Sequence, residues 1–200
     1  MPPVLKYNLA FFSLILCAVL LSSNITAQTT PGALKAKVSE KSLALFHELG
    51  VMNHTEAEAR YEIELEEYAK KIQIEGRVLG DIARNHVIPT AIRYQNILIE
   101  NVTGLKEIFG DEYTSIGKEQ INIIREISGH IAGINTQVEE MTEARKTANA
   151  LTTAEELAHA YCDTVKPYFD VIRRHCDKLE LIVDDEAWPL TKYRELLFTR

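Results

Sequence analysis

Apolar residues recur at steps of three and four through most of this chain, and that spacing limits the folds it can adopt. One row of such residues lies before Pro89 and a second follows it. The first row is Leu65, Tyr68, Ile72, Leu79 and Ile82, and the second is Ala91, Tyr94, Leu98, Leu105 and Ile108. Steps of three and four keep side chains on one face of an α-helix, whereas a half-buried strand needs alternation at every second residue. The spacing therefore predicts long amphipathic helices packed side by side.

Two later segments carry matching rows of apolar residues. We expect the first to form a helix from Glu112 or Lys118 to about Leu151, and the second to form a helix from Thr153 to about Asp184. Their apolar rows are Ile124, Ile127, Ile131, Ile134, Val138 and Met141 in the first helix, and Ala158, Tyr161, Val165, Tyr168, Ile172, Leu179 and Ile182 in the second. The pattern predicts an all-α fold, an antiparallel bundle of three to four long helices without strands.

Prolines and glycines inside these helices predict local departures from regular geometry. Pro89 and Pro167 each remove a backbone hydrogen-bond donor and crowd the preceding turn, so we expect a kink or a short break at each. Gly129 and Gly133 lie within the cleanest apolar row, where each costs about 1 kcal/mol relative to alanine. Their expected role is to let a neighbouring helix approach closely. A ligand that contacts the backbone there is the less favoured alternative.

Helix starts can be predicted from pairs of capping residues. An N-terminal helix is expected over residues 33–49. Thr55 with Glu58, and Thr153 with Glu156, have the spacing of a capping box, in which each side chain accepts a hydrogen bond from the other residue's backbone N–H. These two pairs predict the starts of the long helices that follow them.

The first 27 residues differ in character from the rest of the chain. Lys6 precedes an apolar run, Leu9 to Leu21, in which Ser13 is polar, and mostly small or polar residues follow up to Ala27. This is the arrangement of a secretory signal peptide, with a plausible cut before Gln28. The run is short for a membrane span, so we expect no stable span after the leader is cleaved. An uncleaved anchor and a misjoined start are the alternatives.

Behind the leader we expect a polar linker, residues 28–32, and one helical domain, residues 33–200. The end of this domain, from Trp188 to Phe198, is too apolar and aromatic for a tail that stays in water. We therefore expect it to fold back and dock on the bundle.

The cysteines indicate a different compartment from the leader. Cys162 and Cys176 are the two that remain after residue 27. On one helix they would lie about 21 Å apart, which is beyond the reach of a disulfide. Unpaired cysteines are typical of a reducing compartment. The leader thus predicts a periplasmic or secreted protein and the cysteines a cytoplasmic one, and both alternatives stay open.

The charge of the chain argues against one class of partner. The formal net charge is −7, and no long basic run is present to neutralise a phosphate backbone. We therefore expect no nucleic-acid partner. The sequence also lacks a phosphate-binding glycine loop and the common hydrolase and metalloprotease motifs, and it predicts no cofactor.

A few polar residues occupy positions where chemistry could use them. Glu156 and His159 have the Glu-x-x-His spacing of two-metal carboxylate bundles, but such a site needs two of these motifs and two further glutamates. No metal site is therefore predicted. Glu75, His86 and His175 fall on or near the apolar rows. Hydrogen bonds that fix the packing register are the favoured interpretation, and a ligand pocket is the alternative.

Four parts of the chain match a known family when they are taken together and in order. They are Val38-Ser39-Glu40-Lys41-Ser42; Glu58-Ala59-Arg60-Tyr61-Glu62; Ile88-Pro89-Thr90-Ala91-Ile92-Arg93-Tyr94-Gln95; and Asp184-Asp185-Glu186-Ala187-Trp188-Pro189-Leu190 with Tyr193-Arg194-Glu195-Leu196-Leu197-Phe198. From about Ala33 to the C-terminus, the chain resembles the C-terminal helical region of type III glutamine synthetase, the large bacterial form.

This resemblance implies a structural role for the chain rather than a catalytic one. Glutamine synthetases condense glutamate with ammonia, using ATP and divalent metals, on a β-rich core that lies upstream of this region. No catalytic, cofactor-binding or metal-binding residue of the family can therefore be assigned here, and we do not expect the chain to be an enzyme by itself. The resemblance implies packing on a catalytic core and support of a large oligomer. The expected partner is a second copy of this chain or a full-length glutamine synthetase.

Side chains that pack between helices are expected to carry this role. The residues that we select are Tyr94, Ile127, Ile131, Tyr168 and Trp188. Two alternatives stay open. The chain could be one piece of a split glutamate–ammonia ligase, or an exported helical binding protein without a link to glutamine.

Overall fold

The computed structural model describes residues 29–192 and 195, and these residues form helices and turns without any strand. The all-α prediction is confirmed. The helices in chain order are α1 (Thr30–Lys37), α2 (Glu40–Glu48), α3 (His54–Ile82), α4 (Ile88–Phe109), α5 (Tyr113–Ile116), α6 (Lys118–Ala148), α7 (Ala154–Ala160) and α8 (Pro167–Ile182). Within this described part, no helix combines the length and the hydropathy needed to cross a membrane. The predicted leader lies outside the described residues.

The chain divides into two compact units, and the division falls inside α3, between Tyr68 and Ala69. The first unit contains α1, α2 and the start of α3. Lys37 of α1 forms an ion pair with Glu64 of α3. The buried side chains in its described part are Pro31, Ala57 and Leu65.

The helix predicted over residues 33–49 is in fact two helices. Ser39 has an extended backbone (φ −65°, ψ 153°), and its hydroxyl accepts a hydrogen bond from the Ser42 N–H at 3.4 Å. Ser39 therefore caps a new helix instead of continuing the first one. α2 then ends before Gly50, whose φ of 64° is a conformation that glycine adopts at little cost.

The start of α3 lies two residues before the predicted one. Asn53 and Glu56 form the capping box in place of Thr55 and Glu58. Asn53 Oδ1 accepts from the Glu56 N–H at 2.9 Å, and Glu56 Oε2 accepts from the Asn53 N–H at 2.8 Å. Asparagine is at least as good an N-cap as threonine, so spacing alone could not decide between the two registers.

The second unit consists of three long antiparallel arms. The end of α3 and α4 form the first arm, α6 forms the second, and α7 and α8 form the third. Hydrogen bonds between side chains join the first arm to α6 and its C-cap residue, with residue numbers that rise on one side and fall on the other: Gln73 to Asn149 (3.1 Å), Arg84 to Glu139 (3.2 Å) and Gln95 to Ser128 (2.7 Å). The antiparallel arrangement that the sequence predicts is therefore present in this unit.

The core of the second unit draws on all three arms. Its large side chains that are at most 1% exposed are Val87, Ile127, Ile134, Tyr161, Val165, Ile172 and Leu179. Burial of each contributes about 1.5–3 kcal/mol relative to an exposed position. The Tyr161 hydroxyl donates a hydrogen bond to Asn149 Oδ1 at 2.7 Å, so the one polar group in this set is satisfied.

Each predicted kink is a π-helical turn. One spans Ala83–Val87 and the other Tyr161–Val165, and each ends two residues before the proline that predicted it. The residue next to the proline donates its N–H to the carbonyl five residues earlier, as Lys166 does to Tyr161 at 2.9 Å. The wider turn accommodates the proline ring while the chain stays helical on both sides.

The chain folds back after α8, as predicted, at least as far as Lys192. Trp188 is 8% exposed. Lys192 Nζ donates to the Glu180 carbonyl at 3.0 Å and forms an ion pair with Asp185. Of the later residues only Glu195 is described, so the remainder of the predicted docked tail lies outside the described residues.

Replacing Trp188 with alanine tests this docking. The free energy of unfolding in urea is expected to fall by about 3 kcal/mol, because a large buried side chain is removed. Leu181 is 80% exposed on α8, and Leu181→Ala is the control, with an expected change below about 0.5 kcal/mol. Equal losses in the two variants would contradict the docked position of Trp188.

Candidate functional site

The five predicted packing residues all lie in the second unit, at different depths. Ile127 is fully buried and Trp188 is nearly so, whereas Tyr94, Ile131 and Tyr168 are half-buried. The structure therefore places them in or beside the core of one chain. Their role in contacts between chains stays a prediction.

Of the polar residues predicted on the apolar rows, His175 lies between helices and the other two do not. Glu75 and His86 are exposed. His175 instead meets His130, which lies 45 residues earlier in the chain on α6. The three predicted residues therefore form no common site, and the register-fixing interpretation applies to His175.

The Glu-x-x-His pair has an ordinary role at the start of α7. The Glu156 N–H donates to the Thr153 hydroxyl at 3.3 Å, which is the predicted cap. His159 is 40% exposed and lies 3.9 Å from Asp163. Among the described residues, no three His, Cys, Asp or Glu side chains are grouped so that they could hold a metal ion.

His130 and His175 form a half-buried imidazole pair between α6 and α8. Their Nδ1 atoms are 2.9 Å apart and the ring centroids 5.2 Å apart, with the rings inclined at 62°. One Nδ1 must carry the proton and the other must accept it. Glu126 Oε1 lies 3.7 Å from His130 Nε2 on the outer side of the pair.

The surroundings of this pair disfavour the charged form of His175. Burial, and then the nearby charges of His130 and Arg174, lower the pKa of His175 below 6.5. The lowered pKa favours the neutral form of His175, and the pair shares one hydrogen bond between the two rings. It acts as a polar clamp that fixes the register of the two helices.

Glycine on α6 makes room for this clamp. A Cβ atom at Gly133 would lie 2.7 Å from Cε1 and Nε2 of His175, far inside contact distance. The predicted close approach is therefore confirmed at Gly133. It is wrong at Gly129, where a Cβ would have nothing within 4 Å.

The two cysteines in the described part of the chain are free thiols, and one of them is unreactive. Burial, and secondarily Asp177, raises the pKa of Cys176 to about 11. Its thiol stays protonated at neutral pH and is a poor nucleophile. Cys162 is half-buried.

The far end of the α4–α6 hairpin, residues 97–121, is the part of the second unit with the least burial. We call it the hairpin tip. Among its residues only Gly117 is buried. Its large exposed apolar side chains are Ile97 (59%), Ile99 (43%), Ile108 (74%), Phe109 (44%) and Ile116 (44%).

The register of the helices explains this exposure. α4 packs mainly on α6 and on the turn that joins them. α8 is antiparallel to α6 and pairs with it at His175 and His130, so it ends at Ile182, near the Ile123 position of α6. Beyond that point the described residues of this unit supply two helices, and two helices leave their outer faces uncovered.

The sequence pattern did not identify the hairpin tip. Ile108 was assigned to the second apolar row, yet it is 74% exposed, and Leu98 and Leu105 are half-buried. A helical row shows which face is apolar, but it does not show how many neighbours cover that face. The density of isoleucine in residues 97–116 was the available signal.

The chain is similar to one family of enzymes over part of their length. Residues 23–106 match the model of the glutamine synthetase C-terminal domain. The chain is 48% identical over 171 residues to a glutamine synthetase of Bacteroides fragilis (strain YCH46). It is 28% identical over 183 residues to the type-3 glutamine synthetase of Dictyostelium discoideum, and 24% identical over 169 residues to a glutamine synthetase of Butyrivibrio fibrisolvens.

The extent of these alignments bears on function. They cover 85%, 86% and 84% of this chain but 24% of each relative. The chain therefore spans about a quarter of the length of the curated relatives that it matches. The predicted similarity to a C-terminal region of glutamine synthetase is confirmed.

Two alanine substitutions on α6 test the polar clamp as a matched pair. Gly133→Ala places a Cβ against the His175 ring and is expected to lower the free energy of unfolding by about 1–2 kcal/mol. Gly129→Ala meets no neighbour and is expected to raise it by up to about 1 kcal/mol, because alanine favours the helix. Urea unfolding measures both.

A third variant assigns the penalty to its cause. In a His175→Ala background the ring is absent, so Gly133→Ala should no longer destabilise the chain. A penalty of the same size in that background would contradict the contact between Gly133 and His175.

Proposed function

We propose that this chain is a non-catalytic helical module that assembles with the catalytic part of a glutamine synthetase and docks through its hairpin tip. The uncovered apolar side chains of the tip are the observation that carries the proposal. Three further considerations support it: the position of those side chains, the length of the relatives and the charge of the tip.

Single exposed apolar side chains are ordinary on a folded protein. The hairpin tip differs because five large ones lie within one short hairpin and Gly117 is its sole buried residue. A concentration of this kind is typical of a surface that another protein covers. Burial of even part of it would contribute about 25 cal/mol for each Å² removed from water.

The length of the relatives indicates what could cover the hairpin tip. Each is about four times as long as the matched region, since the alignment takes up 24% of its length. In a longer protein, an uncovered helical hairpin can pack against the remaining three-quarters of the chain. We propose that the same surface binds an equivalent core that is supplied in trans.

The charges on the hairpin tip indicate which charge the partner surface should carry. Its charged side chains are Glu100, Lys106, Glu107, Asp111, Glu112, Lys118 and Glu119, five acidic and two basic. Charged residues around an apolar centre steer association and select partners of opposite sign. The surface expected on the partner is therefore an apolar patch with a basic rim.

The same alignment coverage supports a second candidate function. A chain that matches 24% of a synthetase could complete an active enzyme whose remaining part is encoded separately. Both candidate functions require assembly with the rest of a synthetase, and glutamine formation by the complex distinguishes them. A complex that forms glutamine favours the split enzyme, whereas an inactive complex favours the non-catalytic module.

The test combines this chain with the Bacteroides fragilis synthetase from which the matching region has been removed. Association is measured by analytical ultracentrifugation and glutamine formation by a coupled assay. We expect the full chain to bind. Replacing Ile108 and Phe109 together with glutamate should raise the Kd by about 100-fold, because charge is then introduced into the proposed apolar contact.

Leu181→Glu is the matched control. Leu181 is 80% exposed on α8 and lies outside the hairpin tip, so this variant should bind like the unmodified chain. Failure of the unmodified chain to bind the core would overturn the proposal. Equal weakening by the tip variant and the control would overturn the assignment to the tip.

A further inference from the structure

A second feature of the same unit lies far from the hairpin tip. A groove of about 300 Å³ runs between the end of α3, with the π-helical turn that follows it, and the last third of α6. We call it the arginine groove, because Arg77 and Arg84 line one wall and Arg145 lines the other. Val138 and Met141 of α6 contribute apolar surface between them.

Glycines set the narrow spacing of the two walls. A Cβ at Gly80 would lie 3.3 Å from Val138, and a Cβ at Gly76 would lie 3.2 Å from the Phe169 ring. Both distances are tighter than ordinary contact, so α3 lies directly against its neighbours here. The arginines at positions 77 and 84 therefore rise from a backbone that is close to α6.

The three arginines are not equally engaged. Arg84 donates to the Asn135 carbonyl and to Glu139 Oε1, each at 3.2 Å. Among the described residues, Arg77 and Arg145 have no side-chain hydrogen bond or ion pair, although Arg145 is half-buried. Partly buried guanidinium groups are normally paired. Arg145 is such a group, and Arg77 is exposed on the facing wall, so the groove presents two guanidinium groups that can pair with acceptors from outside the chain.

The charge of the groove contrasts with the charge of the protein. Its lining carries three arginines and one carboxylate, Asp81, for a formal charge of +2. The chain as a whole carries −7. Asp81 also accepts a hydrogen bond from Asn85 on the next turn, so it is already engaged. The groove is therefore a local positive site on an acidic molecule.

We propose that the arginine groove binds a small organic dianion, specifically a dicarboxylate with a short carbon chain. Each free guanidinium presents a planar fork that matches one carboxylate in a bidentate pair. The two forks stand on opposite walls, and Val138 and Met141, which are 4% and 3% exposed, add a small apolar surface for the carbons between the two acids.

This site is independent of the proposed assembly. Met141 in the groove lies about 30 Å along α6 from Ile121 at the base of the hairpin tip, at 1.5 Å per residue. No residue of the arginine groove belongs to the tip. The groove can therefore bind its ligand whether or not the chain associates with a synthetase.

The test measures binding of succinate and glutarate to the full chain by calorimetry and by the shift of the thermal midpoint. Acetate and sodium chloride at matched ionic strength control for screening. We expect both dicarboxylates to raise the midpoint, and neither control to do so. Replacing Arg77 and Arg145 together with glutamine should weaken dicarboxylate binding by at least about tenfold, because two charge-assisted pairs are lost.

An arginine outside the groove supplies the matched control variant. Arg125 is exposed on α6, outside the groove, and Arg125→Gln should bind like the unmodified chain. Circular dichroism confirms that each variant keeps its helix content. Equal responses to succinate and to sodium chloride would overturn the proposal, and so would undiminished binding by the Arg77→Gln, Arg145→Gln double variant.

Discussion

The second unit depends on the close approach of neighbouring helices to α6 from two sides. On one side, Gly80 lets α3 lie against Val138, where an added Cβ would sit at 3.3 Å. On the other side, Gly133 of α6 itself accepts the His175 ring, where an added Cβ would sit at 2.7 Å. Small residues at the contacts let the isoleucine and leucine side chains around them interdigitate. The hydrogen bond between His130 and His175 fixes the register of α6 and α8, which apolar packing alone would not define.

The two prolines shape the other two arms without breaking them. Each π-helical turn buries one face in the bundle, with Ala83 and Val87 in one turn and Tyr161 and Val165 in the other at most 1% exposed. The packing of this face holds the widened turn, because an isolated π-turn is less favourable than α-helix. The turns set the directions in which α4 and α8 leave the core.

Most of the fold could be predicted from the spacing of apolar residues, whereas the candidate sites could not. The row from Ile127 to Met141 identified α6 directly, because a helix with one apolar face has a period that few other structures share. The errors fell where two residues compete for one local role, as Asn53 and Thr55 do for the cap of α3. The arginine groove joins Arg77 to Arg145, which are distant in sequence, and no local pattern marks such a pair. Exposure of the hairpin tip depends on where α8 stops relative to α6, which is a property of the packed bundle.

The bundle is well packed, whereas the hairpin tip extends beyond it. The central claim is that the hairpin tip is a docking surface. Hydrogen–deuterium exchange on the full chain, alone and with a glutamine synthetase core that lacks the matching region, tests the claim most directly. The account predicts slower exchange in residues 97–121 when the core is present, with little change in the second half of α6. Unchanged exchange in those residues, or protection confined to another part of the chain, would contradict it.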